Sequence, residues 1–168
     1  SGVFLKSLIA KSSVIYNGIT PVNLVSDYTS GFINVAIIGR LSLRKGHKNL
    51  IQAAAILKTN GFSNVKFFIV GDIVPGNEAY KDELVELIAK LKLEESFEFI
   101  NFQSNLTQVW LATHVCVVPS VLPESFGLVA AEAMSYSIPV IASNLGGLSE
   151  IVVHNKTGYL VEADSESI

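Results

Sequence analysis

The stretch VCVVPSVLPESFGLVAAEAM, residues 115–134, runs from a strand through a loop into a helix, and it decides the fold class. Its first four residues are apolar and mostly β-branched, which predicts a buried strand, and Pro119 and Pro123 end the ladder. The alanine-rich part predicts a helix that begins near Phe126, with Ser125 as its N-cap. Because open α/β sheets bind ligands at the carboxyl ends of their strands, the loop between is a candidate binding site.

Two glutamates, Glu124 and Glu132, lie eight positions apart in this stretch. Glu124 is predicted at the end of the strand, and Glu132 about two turns into the helix. An ionised carboxylate accepts hydrogen bonds from two vicinal hydroxyls, so Glu132 is a candidate ligand for ribose. Gly127 allows close approach to the backbone, and the free N–H groups of the helix end favour an anion. The spacing alone describes two solvated surface glutamates equally well.

A second candidate region follows the apolar strand INVAIIG at 33–39, where the chain continues as RLSLRKGH. A guanidinium and an ammonium five positions apart, Arg40 and Lys45, are suited to bind the two phosphate groups of a diphosphate together. His47 is also placed to reach phosphate. A solvated basic turn is the alternative interpretation of this segment, and Arg44 fits it better than its neighbours do.

Apolar strands alternate with helical patterns along the whole chain. The predicted helices lie near 47–59, 79–91 and 105–112, and the predicted strands near 33–38, 65–70, 97–100, 115–118, 139–142 and 158–161. This alternation predicts an α/β fold, a doubly wound (Rossmann-like) parallel sheet with helices on both faces. The Gly-Gly pair in SNLGGLSEIV, 143–152, fits either close approach to a ligand or an ordinary strand-to-helix turn.

Composition excludes several classes of protein. The chain has 168 residues, 49% of them hydrophobic, which suits a single core, and its net charge of −3 offers no broad basic face for nucleic acid. No apolar run reaches the ~18 residues of a membrane span, so a cytoplasmic location is expected. The single cysteine, Cys116, rules out an internal disulfide and is expected in the core. The histidines lack metal-ligand spacing and no Asp-x-Asp occurs, so no metal site is predicted.

Three motifs together resemble one family. They are GRLSLRKG at 39–46, PSVLPESFGLVAAEAM at 119–134 and SNLGGLSEIVVHNKTGYLV at 143–161. The chain, over about residues 14–168, resembles the C-terminal, donor-binding domain of the family 4 (group 1) retaining glycosyltransferases. The resemblance implies one half of a GT-B fold, which has two Rossmann-like domains. It also implies transfer of a sugar from a nucleoside diphosphate to an acceptor hydroxyl, with the anomeric configuration retained.

The resemblance also implies roles for individual residues. These are Arg40, Lys45, Gly127 and Leu128 for the donor diphosphate, Phe126 and Glu132 for the donor sugar and ribose, Glu124 as the catalytic residue that orients the sugar, and Asn101, Phe102 and Gln103 for the nucleobase. No cofactor is implied, since the nucleotide sugar is the substrate. UDP is the commonest donor nucleotide in the family, with GDP and ADP behind it. The acceptor, a glycan or a lipid, is expected to bind through an N-terminal domain.

The domain boundaries are interpreted in the same way. Residues 1–32 are expected to be an interdomain linker and lead-in, and 33–168 the donor-binding domain, truncated at its C-terminus. Since the GT-B reaction takes place between two domains, the fragment is expected to bind donor without turnover, and membrane association of the intact protein stays open. The loop GDIVPGNEAYKDE, 71–83, is longer than in many relatives. It is interpreted as a solvent loop, with Asp72, Asn77 and Tyr80 projecting polar groups toward the sheet edge.

Other functions of the same fold class stay open at this point. A sugar-nucleotide epimerase would need acid and base residues from another domain, and a phosphorylase would need a cofactor lysine that is not evident. A non-enzymatic nucleotide-binding α/β module explains the alternation of elements but not the cations and glutamates together. A dehydrogenase is disfavoured because no G-x-G-x-x-G follows the first strand.

Overall fold

The computed structural model describes residues 12–13, 15–22 and 31–168, so most of the predicted linker, 1–32, lies outside the described residues. In this part of the chain the strands are β1 Ile33–Ile38, β2 Val65–Val70, β3 Phe97–Ile100, β4 Val115–Val118, β5 Val140–Ser143 and β6 Gly158–Val161. They form one sheet in the order β3-β2-β1-β4-β5-β6, with every neighbouring pair parallel. The predicted doubly wound parallel sheet is confirmed.

The helices of the described residues connect these strands. They are α1 His47–Thr59, α2 Glu78–Lys90, α3 Thr107–Ala112, α4 Leu128–Ser135 and α5 Leu148–Ile151. α1 begins after Gly46 and ends at Thr59, with Asn60 as its C-cap. Gly61 follows with a φ of 89°, which glycine adopts far more easily than other residues. The first three helices agree with the sequence prediction to within two residues, because their apolar stripes and end signals are local.

Helices cover both faces of the sheet. On one face α1 and α2 bury Leu50, Ile51, Leu84 and Ile88 against the odd-numbered side chains of β1 and β2. On the other face α3 and α4 pack against the even-numbered side chains of β1 and against β4 and β5. That second face includes Trp110, Cys116, Ala130 and Ala133. Burial of a single Leu or Ile contributes about 1.5–3 kcal/mol, so these two layers supply the main stabilisation of the fold.

The strand order reverses between β1 and β4, which makes the topological switch point of the sheet. The loops that follow these two strands meet there, since the backbone N–H of Val121 donates to the carbonyl of Arg44 at 2.9 Å. Gly46 has a φ of 71°, and a Cβ on it would lie 1.9 Å from the Pro119 carbonyl oxygen. Only glycine therefore permits this contact, which brings the basic loop against the loop that carries Glu124.

The predicted start of the fourth helix is wrong. Its N-cap is Gly127, with a φ of 96°, and no side-chain hydrogen bond caps the helix, so Ser125 is not the cap. A Cβ at Gly127 would lie 2.6 Å from Leu148 Cδ2, which shows how closely α5 packs on this turn. Because α4 begins at Leu128, Glu132 lies about one turn into the helix rather than two.

Two side chains predicted at the sheet edge point inward instead. His47 is fully buried and Tyr80 is 7% exposed, with their ring centroids 6.0 Å apart in an edge-on contact. Burial lowers the pKa of His47 to about 4; the charge of Lys45 acts in the same direction and the Ser42 backbone opposes it. The prediction that His47 reaches phosphate is wrong, because α1 turns its side chain into the core.

Candidate functional site

Lys45 and Glu124 meet across the crevice at the switch point. Lys45 Nζ lies 2.7 Å from Glu124 Oε1, and the Ser120 hydroxyl donates to the same oxygen at 2.6 Å. The Lys45 and Glu124 side chains are 27% and 20% exposed. Glu124 Oε2 has no hydrogen-bond partner among the described residues, so this oxygen is available to a ligand.

The electrostatics of this pair keep Glu124 ionised. Partial burial alone raises the pKa of Glu124, but the hydrogen bonds from Lys45 and Ser120 and the positive charges of Lys45 and Arg44 outweigh it. The pKa of this carboxyl is therefore lower than its ordinary value. At neutral pH the Lys45 ammonium and the Glu124 carboxylate therefore form an ion pair. Both side chains are partly exposed to solvent at the carboxyl end of the sheet.

Arg40 follows β1 directly and lines an apolar cavity of about 450 Å³. The cavity lies between the ends of β1 and β2 and the loop after β3, and its lining includes Arg40, Gly71, Asp72, Ile73, Phe102 and Gln103. The backbone N–H of Phe102 donates to Asp72 Oδ1 at 2.9 Å, which ties the two loops together. Arg40 itself is exposed and has no ion pair among the described residues.

The loop after β2 forms one wall of this cavity. Leu41 pairs with Ile73 in a parallel bridge, and its N–H donates to the Asp72 carbonyl at 2.9 Å. Ile73 and Val74 are half-buried, so the interpretation of this segment as a plain solvent loop is wrong for these two residues. The bridge between Leu41 and Ile73 extends the pairing of β1 and β2 beyond their carboxyl ends. Ile73 and Val74 are thereby partly buried.

The three residues predicted at the nucleobase divide between two cavities. Phe102 and Gln103 line the same cavity as Arg40. Asn101 lines a smaller adjoining cavity of about 230 Å³ together with Lys81. The Gln103 side-chain amide donates to the Asn101 carbonyl at 3.2 Å across this boundary.

Glu132 is half-buried on α4. Burial raises the pKa of Glu132. Burial also raises the pKa of the Cys116 thiol, and the charge of Glu132 adds to that effect. No hydrogen bond or ion pair satisfies the Glu132 carboxylate within the described part of the chain. A half-buried carboxylate without a partner is costly to keep charged, and two donated hydroxyl hydrogen bonds would compensate it.

The N-terminal end of α4 is open to a ligand. Gly127 supplies no side chain to the first-turn N–H groups, and Leu128, the first helical residue, is 47% exposed. Phe126, half-buried beside them, lies with its ring centroid 6.4 Å from that of Tyr16. The backbone here has the free donors and the access that an anion requires.

Two contacts at the site had little or no signal in the sequence. Ser120 stands in the quoted motif four residues before Glu124, and that spacing was its only available sign. Tyr16 donates a hydrogen bond to Glu150 at 3.0 Å over a separation of 134 residues, which no local pattern predicts. Among the described residues no group of three or more His, Cys, Asp or Glu is placed to hold a metal ion. None of the described helices has the length and apolar character to cross a membrane.

Comparison with known proteins identifies the family. The sequence model of the family described as "Glycosyl transferases group 1" matches residues 29–168, which is most of the chain. The chain belongs to this family. The predicted resemblance is therefore confirmed at the family level.

Individual relatives and solved structures agree with this assignment. The D-inositol 3-phosphate glycosyltransferase of Nocardia farcinica is 38% identical over 130 residues, which cover 76% of this chain and 29% of that protein. The crystal structure of Anabaena HepE in complex with UDP and glucose is 33% identical, with a TM-score of 0.77 over 82% of this chain and 37% of that one. The C-terminal domain of the group 1 protein LpcC from Francisella tularensis is 29% identical, with a TM-score of 0.69 over 83% and 69%.

The coverage values also show which part of its relatives this chain corresponds to. It spans about three tenths of the length of the Nocardia relative and somewhat more of HepE. The structural match to an isolated C-terminal domain identifies this fold as that domain of a GT-B glycosyltransferase.

Proposed function

We propose that this chain binds a nucleoside diphosphate sugar, UDP-sugar in the first place, as the donor domain of a retaining hexosyltransferase. The observation that carries the proposal is the Lys45–Glu124 pair at the switch point, with Arg40 and an apolar cavity on the adjacent strand ends. The complex of HepE with UDP and glucose supports the choice of donor, since that protein is 33% identical to this chain. The proposed domain is 33–168, with 1–32 as linker and lead-in.

The donor would lie along the carboxyl edge of the sheet. Its base would occupy the cavity lined by Phe102 and Gln103, and its ribose would donate to Glu132. Its diphosphate would lie between Arg40 and Lys45, near the open end of α4. All of these groups follow the carboxyl ends of β1, β3 and β4, which lie at one edge of the parallel sheet.

Glu124 and Lys45 would exchange partners when the donor binds. In the free chain Glu124 holds the Lys45 ammonium, and a phosphate oxygen offers the same ammonium an alternative anionic partner. Glu124 would then orient the hydroxyls of the transferred sugar. Arg40, Lys45 and the N–H groups of α4 would stabilise the negative charge that grows on the leaving diphosphate, and such preorganised electrostatic stabilisation is usually the largest contribution to catalysis.

Titration with nucleotides tests the proposal. In calorimetry we expect UDP to bind the chain more tightly than GDP, ADP or NAD, because the 33% identical HepE was solved in complex with UDP. The chain should bind donor without transferring the sugar. Tightest binding by NAD, or no binding by any of the nucleotides, would contradict the proposed function.

Chelation tests the role assigned to the cations. We expect the same UDP affinity with and without EDTA, because Arg40, Lys45 and the α4 backbone supply the positive charge. Calorimetry in both buffers measures the difference. Loss of binding in EDTA would show that a divalent cation bridges the phosphates and would reject the metal-free proposal.

Substitution Glu132→Gln tests the ribose contact. Glutamine keeps the shape but replaces one acceptor oxygen by a donor, so we expect UDP affinity to fall about tenfold, the scale of one hydrogen bond to a charged group. The loss for 2′-deoxy-UDP should be clearly smaller. The exposed Glu98→Gln on β3 is the matched control and should bind as wild type. Equal losses of affinity for UDP and 2′-deoxy-UDP would show that Glu132 does not bind the ribose 2′-hydroxyl.

A further inference from the structure

The fully buried His47 is the first residue of α1 and follows Lys45 by two positions. Neither nitrogen of its ring has a hydrogen-bond partner among the described residues. The ring instead lies against Tyr80 of α2, with the two ring planes 73° apart. A buried polar group without a partner costs free energy, and the proposed donor binding gives this imidazole no role.

The surroundings of His47 favour the neutral ring. Burial and the Lys45 ammonium both oppose a proton on the imidazole, and the positive end of the α1 dipole acts in the same direction. The Ser42 backbone favours the protonated ring, but no hydrogen bond of regular geometry joins the two. The pKa of His47 is therefore lowered from 6.5 to about 4.

No carboxylate among the described residues compensates a charge on this ring by an ion pair or a hydrogen bond. Glu83 of α2 is bound to Lys48 at 2.6 Å, and Lys48 Nζ lies 5.7 Å from the Tyr80 ring centroid. Burial and the charge of Glu83 raise the pKa of Tyr80 to about 12, so the phenol stays neutral. The loop after β4 and the segment after β6 also contact α1 or the residue before it, and their charged side chains adjoining those contacts are Glu124, Glu162 and Asp164.

The first turn of α1 connects the ring to the basic loop. The backbone N–H groups of Asn49 and Leu50 donate to the Gly46 carbonyl at 3.0 and 3.2 Å. Gly46 stands between His47 and Lys45 in the chain and lies against the backbone of the loop after β4. Because His47 is part of this turn, its ring cannot leave the core unless the turn moves as well.

We propose that the first turn of α1 is a pH-sensitive switch, which opens when His47 takes up a proton and thereby releases Lys45 from Glu124. A charged imidazole without a partner is stable only in water, so the ring leaves the core and the turn opens with it. Burial raises the pKa of Glu124, but its hydrogen bonds and the nearby cations lower it below the ordinary value. The Lys45–Glu124 pair therefore does not itself titrate at mildly acid pH.

The direction of the pH effect follows from the lowered pKa. The closed turn binds the proton less tightly than the open turn does. The stability that the neutral ring gives to the closed turn is complete above pH 6.5 and is lost as the pH falls toward about 4. Between pH 7.5 and 5.5 the equilibrium should shift toward the open turn by about tenfold.

Hydrogen exchange of the whole chain, followed by NMR without ligand, tests the switch and does not depend on the proposed function. We expect the protection factors of the Asn49 and Leu50 amides to fall about tenfold between pH 7.5 and 5.5. The protection factor of Val121 should fall with them, because its N–H donates to the Arg44 carbonyl and joins the two loops.

The other two histidines have reporter amides of their own. The N–H of Asn34 donates to His114 Nδ1 at 3.0 Å, and the N–H of Leu160 donates to His154 Nδ1 at 3.1 Å. These two amides lie outside the first turn of α1. Their exchange therefore separates the protonation of His114 and His154 from that of His47.

Substitutions His47→Phe and His47→Leu remove the titrating group and keep an apolar side chain in the core. In both variants we expect the protection factors of Asn49 and Leu50 to be the same at pH 7.5 and 5.5. Two variants are used because the larger phenylalanine ring strains a close-packed core. The exposed His154→Gln is the matched control and should retain the pH dependence of wild type at the first turn of α1.

Two results would overturn the inference. The first is unchanged protection of Asn49 and Leu50 down to pH 5.5, and the second is an equal loss at Ile37 in β1, which would indicate global unfolding instead of a local switch. A loss confined to the first turn of α1 and Val121, and absent from the two His47 variants, supports it. If neither variant folds, the comparison of the reporter amides in wild type decides by itself.

Discussion

Replacement of Lys45 by alanine is expected to weaken UDP binding by about 1.5–3 kcal/mol, or roughly 10- to 150-fold, the scale of a hydrogen bond between charged groups. The lost ammonium removes one partner of the diphosphate. It also leaves Glu124, held at 2.7 Å by Lys45 in the free chain, as an unpaired negative charge facing the phosphates. The loss of UDP affinity in Arg40→Ala should lie in the lower part of this range. Arg40 has no ion pair among the described residues, so its removal leaves no unpaired carboxylate facing the phosphates.

The same variants should bind uridine as wild type does, since a nucleoside has no phosphate for the cations to hold. Calorimetry with UDP and uridine measures both effects. Lys48→Ala is the matched control, because Lys48 pairs with Glu83 at 2.6 Å on the helices and not with the loop. If uridine and UDP lost affinity equally, Lys45 and Arg40 would support the fold rather than the diphosphate.

A double substitution separates the two parts of the Lys45 effect. Lys45→Ala combined with Glu124→Gln removes the unpaired charge along with the ammonium, so it should recover part of the lost UDP affinity. Full additivity of the two losses would show that the pair seen in the free chain has no influence on donor binding.

The substitution Gly46→Ala is expected to lower the free energy of unfolding by about 3 kcal/mol or more, which places it among the severe single changes. The left-handed φ of 71° is strained for alanine, and the new Cβ would overlap the Pro119 carbonyl oxygen at 1.9 Å. The overlapped atom belongs to the backbone of the loop after β4, so the loop itself must move. Urea denaturation followed by circular dichroism measures the loss.

Gly61→Ala provides the matched control for this prediction. Gly61 has a φ of 89° and open space around it, so alanine there carries only the backbone strain, about 1–2 kcal/mol. The excess loss at Gly46 reports the contact between the two loops of the site. Equal losses at the two positions would show that the contact with Pro119 is dispensable.

Most of the fold was predictable from the sequence because the deciding signals are local. The β-branched runs at 33–38 and 115–118 coincide with β1 and β4, since a buried parallel strand needs little more than continuous apolar residues. The start of α4 was not predictable in this way. Ser125 is a good N-cap by residue type, but the packing of Leu148 against Gly127 places the cap two residues later.

The candidate site was predictable in its residue types and in its side of the sheet, and not in its contacts. Arg40, Lys45, Glu124 and Glu132 were placed by the rule that ligands bind at the carboxyl ends of parallel strands. Whether Lys45 meets Arg40 or Glu124 depends on loop geometry, and the structure pairs it with Glu124 over 79 residues of sequence. These four residues stay predictions until binding is measured.

By itself, then, the sequence determined the class of fold, the order of its elements and the family, because apolar periodicity, turn residues and motif spacing are written along the chain. Tertiary structure alone decided which side chains face a ligand. It turned His47 and Tyr80 into the core, joined the loop after β2 to the backbone of Phe102 by a hydrogen bond and brought Tyr16 to Glu150. The physical reason is that close packing selects the direction of each side chain through contacts between residues far apart in sequence.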